Sequence, residues 1–189
     1  MVCGIDEVGR GPLAGPVCAA AVILPEDFPR ELLKDSKKLS APARERAMAA
    51  IYAGARAWGV GWASAGEIDE INILNASLLA MKRAFEAMLR GFPAGGEAMP
   101  ELTAVVDGRQ VPGIPIPCRA LVKADSLVPE VMAASILAKT ARDRMMKRYS
   151  WLYPEYGYDR HKGYPTREHR ETVIRLGPSP IQRRTFRVR

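Results

Sequence analysis

This chain of 189 residues has only two histidines, His161 and His169, and three scattered cysteines, Cys3, Cys18 and Cys118. Two histidines exclude a histidine-rich metal centre. Without a Cys-x-x-Cys spacing there is no structural zinc site and no disulfide framework, which suits a reducing cytosol. Long apolar runs are also missing. The longest, residues 13–24, is too short to span a membrane and is broken by Pro16. It follows Asp6 and Glu7 where a secretory signal would carry positive charge, so it reads as a buried strand. Internal repeats and low-complexity linkers are absent too. The length fits one domain, with room for a small appended element.

What the chain does have is positive charge. Its formal net charge is +7 and its pI is about 9.5, which points to an anionic partner. Residues 167–189 hold seven arginines against only Glu168 and Glu171. Such a run is either a solvated tail or a nucleic-acid contact.

Apolar runs at residues 2–6 and 17–24, joined by residues 9–16, read as neighbouring strands. Ser40 and Pro42 open a helix running to about Trp58. A short strand is expected at 60–63. Ser64 and Glu67 match a capping box, opening a long helix that ends at Gly91. Ile68, Ile71, Asn75, Leu78 and Lys82 trace one of its faces, imperfectly. Residues 102–106 and 119–123 are the remaining strands. A helix runs from Pro129 to about Tyr149, and a last one lies between Thr166 and Gly177-Pro178. Strands alternating with helices imply an α/β fold around a central sheet.

The chemistry gathers at strand ends. Asp6 and Glu7 lead into Gly9-Arg10-Gly11, while Asp107 and Asp125 each follow an apolar run. In open α/β sheets, loops from separate strand ends converge on ligands. Taken singly, Asp107 before Gly108 reads as a turn residue and Asp125 as a helix cap. Clustered, four carboxylates would repel one another unless a cation sat among them. Oxygen ligands favour magnesium or manganese, and two such ions can activate a water against a phosphodiester. Strand alternation places Asp6 and Glu7 on opposite faces, so the strand must end or twist there.

The stretch Gly-Ile-Asp-Glu-Val-Gly-Arg-Gly-Pro-Leu-Ala-Gly-Pro-Val at residues 4–17 resembles the signature of the ribonuclease HII family. Further blocks match in order: residues 35–40, 123–126, 133–139 with Arg142-Asp143, 161–166 and 176–181. The resemblance covers nearly the whole chain. It implies a ribonuclease H-like fold, a mixed five-stranded sheet with helices on both faces and a small C-terminal helical element. Residues 1–150 would form the catalytic domain, and 151–189 a basic, helical substrate-contact extension of the same compact unit.

It also implies an endonuclease that hydrolyses the RNA strand of RNA–DNA hybrids. Duplex DNA holding a single ribonucleotide would be nicked on the 5′ side of that ribonucleotide, leaving 3′-hydroxyl and 5′-phosphate ends. Asp6, Glu7, Asp107 and Asp125 carry over as catalytic residues and ligands of Mg2+ or Mn2+, with two ions expected alongside substrate. Gly9, Arg10 and Gly11 would read the ribose 2′-hydroxyl, and Tyr164 would pack on the sugar. Ser36, Lys37 and Lys38 are further candidates for phosphate contact. Five of the six tyrosines lie between Tyr149 and Tyr164 among basic residues, a mixture suited to stacking and backbone contacts. No protein or membrane partner is indicated, and a cytoplasmic monomer is expected.

Ala124 departs from the family's usual glycine, a change tolerated if that position lacks positive φ. Competing readings are type 3 ribonuclease H, a non-catalytic hybrid binder and a metabolic phosphatase. Type 3 carries an extra N-terminal domain, for which five residues before Asp6 leave no room. Clustered acids gain a phosphate binder nothing, and the basic tail favours a polymeric substrate.

Overall fold

A computed structural model describes residues 1–33, 39–92 and 101–188. Ser36, Lys37 and Lys38 lie outside the described residues. Five strands, β1 (Val2–Val8), β2 (Val17–Ile23), β3 (Ala57–Ala63), β4 (Thr103–Asp107) and β5 (Cys118–Leu121), form one sheet in the order β3-β2-β1-β4-β5. β2 runs antiparallel to β1 and β3, whereas β1, β4 and β5 are parallel.

Side-chain alternation divides each strand between two cores. Cys3, Ile5, Ala19, Ala21 and Val106 face helix α2 (Ala65–Arg90), together with Phe85 and Met88. Cys18, Ala20 and Val22 face α1 (Ala41–Gly54) and α3 (Pro129–Leu152), together with Ile136 and Leu137. Each of these fully buried Ile, Leu and Phe side chains contributes roughly 1.5–3 kcal/mol of transfer free energy. The fold is therefore the expected mixed five-stranded sheet with helices on both faces. Among the described residues no helix is long and apolar enough to cross a membrane.

Two departures from the sequence reading bear on the packing. The first helix stops at Gly54 rather than near Trp58, because residues 57–63 pair with β2 and Trp58 sits opposite Val22. In α2, Ser64 and Glu67 form the expected capping box. Asn72, however, interrupts the helix at φ 66° and ψ 165°. Its Oδ1 accepts from the amides of Leu74 and Asn75 and restarts the helix. That break resets the phase. Ala76, Ala80, Met81, Ala84 and Met88 form the buried stripe downstream, while Asn75 and Lys82 point to solvent.

The start of α3 lies directly on β1. A Cβ at Gly4 would come 2.1 Å from the carbonyl carbon of Glu130, so only glycine allows this approach. The consequence reaches the site: α3 is close enough for Ser135 to hydrogen-bond Asp6 on the same face of β1. Beyond α3, the short α4 (Tyr158–His161) packs on it, and α5 (Arg167–Leu176) leans on the 3-10 turn Pro154–Tyr156. Thr166 caps α5 by accepting from His169 N at 3.2 Å.

Candidate active site

β1 and β4 are in register at Ile5 and Val106. Asp6 and Asp107 each lie one residue further, side by side where the β1–β4 pairing ends, while β1 itself runs on to Val8 along β2. Asp6 is 5% exposed, and its Oδ1 accepts from the Glu7 amide at 2.7 Å. Glu7 alternates to the α2 face. There it borders a cleft of about 420 Å³ shared with Arg10, Asp107, Arg109, Ser77 and Met81. Glu7 Oε1 lies 3.5 Å from the Arg10 guanidinium, while its buried Oε2 has no hydrogen-bond partner. Strand parity thus separates the two carboxylates, with Asp107 electrostatically coupled to both.

Asp125 departs from the expected placement. It does not end β5, which stops at Leu121, but sits half-exposed in the 3-10 turn Ala124–Ser126. Asp107 Oδ1 accepts from the Ala124 amide at 2.8 Å, fastening that turn to the end of β4. Positive φ falls on Lys123, at 63°, and not on Ala124. The methyl of Ala124 is buried against Val105 and Val131, so replacing the usual glycine costs no backbone strain.

Burial holds the Asp6 carboxyl well above the usual range, and the neighbouring Glu7 and Asp107 charges push it further. Burial also raises Glu7, an effect the Arg10 guanidinium partly offsets. The site is therefore short of positive charge and rich in hard oxygen donors. Asp6, Glu7 and Asp107 are the residues able to hold a cation, with Asp125 tethered through its neighbour. Among the described residues, no three carboxylate, imidazole or thiol groups are closed into a ready metal-holding set.

The loop 9–16 brings the second group of candidates together. Gly9 has φ +97°, and Gly11 lies against Tyr164, whose Cε1 is 3.9 Å from where a Gly11 Cβ would stand. Leu13 N donates to Gly163 O at 2.8 Å, and Gly15 N to Ile181 O at 2.8 Å. The turn carrying Tyr164 is shaped by two buried histidines with rings stacked at 4.4 Å. Gly163 N donates to His161 Nδ1, and His169 Nδ1 lies 3.0 Å from Tyr164 O. Burial lowers the pKa of both, leaving them neutral near pH 7.

The tyrosine cluster is more internal than its composition suggests. Tyr158 is fully buried, with its hydroxyl 2.6 Å from Ser179 Oγ. Tyr156 donates to Gly177 O. Of the two, neither is placed to stack on a substrate.

The sequence reading gives no role to two side chains that bear on the site, Arg142 within a matched block and Arg183 in the basic tail. Arg142 is wholly buried and donates to the carbonyls of Pro16, Lys162 and Ala14. Arg183, also wholly buried, donates to Gly15, Arg10 and Gly9. Burial, then the nearby Arg142, lower the Arg183 pKa to about 9, which keeps it charged at neutral pH. Arg142 had a signal, since it continues the apolar stripe Ala134, Ala138 on α3. Arg183 has none and reads in sequence as tail charge.

Comparison with known proteins shows the family and the fold. Residues 3–189 match the Ribonuclease HII family. The chain is 58% identical to Ribonuclease HII of Treponema denticola, covering 100% of this chain and 99% of that one. It is 52% identical to Ribonuclease HII of Nitrosococcus oceani, over 98% and 88% of the two chains. The ribonuclease HII of Archaeoglobus fulgidus, solved in a complex with PCNA, superposes with a TM-score of 0.75 at 30% identity. That match spans 97% of this chain and 92% of the other. The protein is a ribonuclease H hydrolase, and the chain belongs to the ribonuclease HII family.

Proposed function

We propose that this ribonuclease H, an endonuclease for the RNA strand of RNA–DNA hybrids, also nicks duplex DNA on the 5′ side of a single embedded ribonucleotide. The products carry 3′-hydroxyl and 5′-phosphate ends. The observation that carries this reading is the placement of Tyr164 beside the loop that follows Asp6 and Glu7, its Cε1 3.9 Å from where a Gly11 Cβ would stand. A sugar held between that ring and the loop would present its own phosphate to the acids.

Asp6, Glu7, Asp107 and Asp125 hold divalent cations, Mg2+ or Mn2+. The unpartnered Glu7 Oε2 and the raised pKa values of Asp6 and Glu7 fit a cation there. When bound, two such ions supply an activated water and stabilise the leaving oxygen. The chain's own residues do the rest. Gly9-Arg10-Gly11 reads the 2′-hydroxyl through its backbone, the group that separates RNA from DNA. Arg10, half-exposed and loosely paired with Glu7, reaches a phosphate. The net charge of +7 draws in the polyanion. Three free cysteines support a cytoplasmic setting.

The test compares two substrates. Tyr164→Ala loses about tenfold or more in kcat/KM on a duplex with one ribonucleotide, on the scale of a lost stacking contact. Cleavage of a long RNA–DNA hybrid falls much less. Equal losses contradict a sugar-packing role, and an unaltered protein that leaves the single ribonucleotide uncut overturns the whole reading.

A further inference from the structure

We propose that Arg183, backed by Arg142, is a positioning residue that sets the peptide orientation of the ribose-reading loop. The inference rests on the proposed function in treating residues 9–11 as that loop.

Arg183 spreads three nitrogens over three different carbonyls. Nε donates to Gly15 O at 2.9 Å, one terminal nitrogen to Arg10 O at 2.9 Å and the other to Gly9 O at 2.5 Å. Arg142 does the same on the far side, taking Pro16 O at 2.9 Å and Ala14 O at 3.3 Å. It also takes Lys162 O at 3.1 Å, two residues before Tyr164. Five carbonyls of one eight-residue loop thus turn inward onto two guanidiniums.

In a planar trans peptide the N–H points opposite to the C=O. With Gly9 O and Arg10 O drawn inward, the amides of Arg10 and Gly11 must face outward. Neither amide donates to any group among the described residues. They are left for a ligand.

Stability alone does not account for this arrangement. Among the described residues neither Arg142 nor Arg183 forms an ion pair. Two like charges buried beside each other are a costly way to fill a core, and an apolar pair would serve stability as well or better. What the two arginines provide is a fork of donors fixed in direction. Lysine offers a charge at one point and cannot span three carbonyls. Phe186, with its ring 5.0 Å from the Arg183 guanidinium, holds the fork from behind.

Arg183→Lys tests the assignment. In the folded variant, kcat/KM on the single-ribonucleotide duplex falls about tenfold to a hundredfold, as expected when a reading group is displaced, while affinity for an all-DNA duplex stays within about twofold. The Leu13 and Gly15 amides, bonded to Gly163 and Ile181, exchange faster than in the unaltered protein. A variant that melts earlier yet keeps kcat/KM within about twofold overturns the proposal, because a purely structural arginine behaves that way. Should the variant fail to fold, hydrogen exchange on the unaltered protein decides. The Arg10 and Gly11 amides then exchange freely in the free protein and become protected with the ribonucleotide duplex but not with all-DNA duplex. Slow exchange in the free protein overturns the inward-carbonyl brace. Failure of the unaltered protein to nick the ribonucleotide defeats the functional reading instead, so the two failures are distinguishable.

Discussion

Asp6→Asn removes metal-dependent cleavage, by roughly a thousandfold or more on the scale of losing a group that stabilises transition-state charge. Duplex binding stays near that of the unaltered protein, since the attracting charge lies elsewhere. A second readout comes from stability. The folded-state pKa of Asp6 is raised well above its ordinary 3.8, so above that pH the folded chain binds more protons than the unfolded one. The contribution of this group to the stability of the metal-free protein is therefore fully present below the ordinary carboxylate range. It falls as pH rises toward the raised folded-state value, and Glu7 adds to the fall. Asp6→Asn flattens that decline and melts no lower than the unaltered protein at neutral pH without metal. Added Mg2+ or Mn2+ raises the Tm of the unaltered protein and leaves the variant nearly unmoved. Near-normal turnover in the variant, or an equal metal response in both, contradicts the assignment of Asp6 as a ligand.

Gly9→Ala has the next largest effect, and it acts on the loop rather than the metal. A Cβ at Gly9 would fall 2.2 Å from Arg142 Nε and 2.6 Å from its Cδ, at a backbone φ of +97°. Arg142 cannot swing aside, because its three donors are committed to carbonyls of Pro16, Lys162 and Ala14. Left-handed strain and overpacking together cost about 2–5 kcal/mol. For a chain of this size that lowers Tm by roughly 5–15 °C. Activity on the single-ribonucleotide duplex drops with it even at temperatures where the variant is folded. A Tm within a degree or two of the unaltered protein would show that the loop has room the structure denies it. Calorimetry on the two proteins settles the point.

Much of this architecture is legible in the sequence, for identifiable reasons. Strand β2 is a continuous apolar run, and β1 and β4 are apolar up to their acidic ends, because helices cover both faces of the sheet. The caps at Ser40, Ser64 and Thr166 sit where the residue types place them. The chemistry of the opening stretch is equally plain, since Asp-Glu beside Gly-Arg-Gly has few structural explanations. Less is visible where geometry depends on long-range contact. The left-handed residue at Asn72 carries no composition signal that distinguishes it from an exposed helical asparagine, so the buried stripe of α2 is misread beyond it. Asp125 reads as a strand end because five residues precede it in an apolar context. Only the bond from Ala124 to Asp107 reveals that a 3-10 turn carries it. Arg183 is the clearest case. In sequence it belongs to a basic tail, whereas in space it lies beneath a loop 168 to 174 residues away in the chain. The tail is also fastened at Asp69, which accepts from the amides of Arg184 and Thr185.

The proposed function comes down to one relation, that the acids cut where the loop and Tyr164 find a ribose. The most direct test gives the unaltered protein and Mg2+ a DNA duplex holding one ribonucleotide, beside duplexes in which its 2′-hydroxyl is removed or methylated. A single nick on the 5′ side of the ribonucleotide, with neither altered duplex cut, is the predicted result. Cleavage that persists without the hydroxyl would contradict the account, because the protein would then be cutting without reading the sugar.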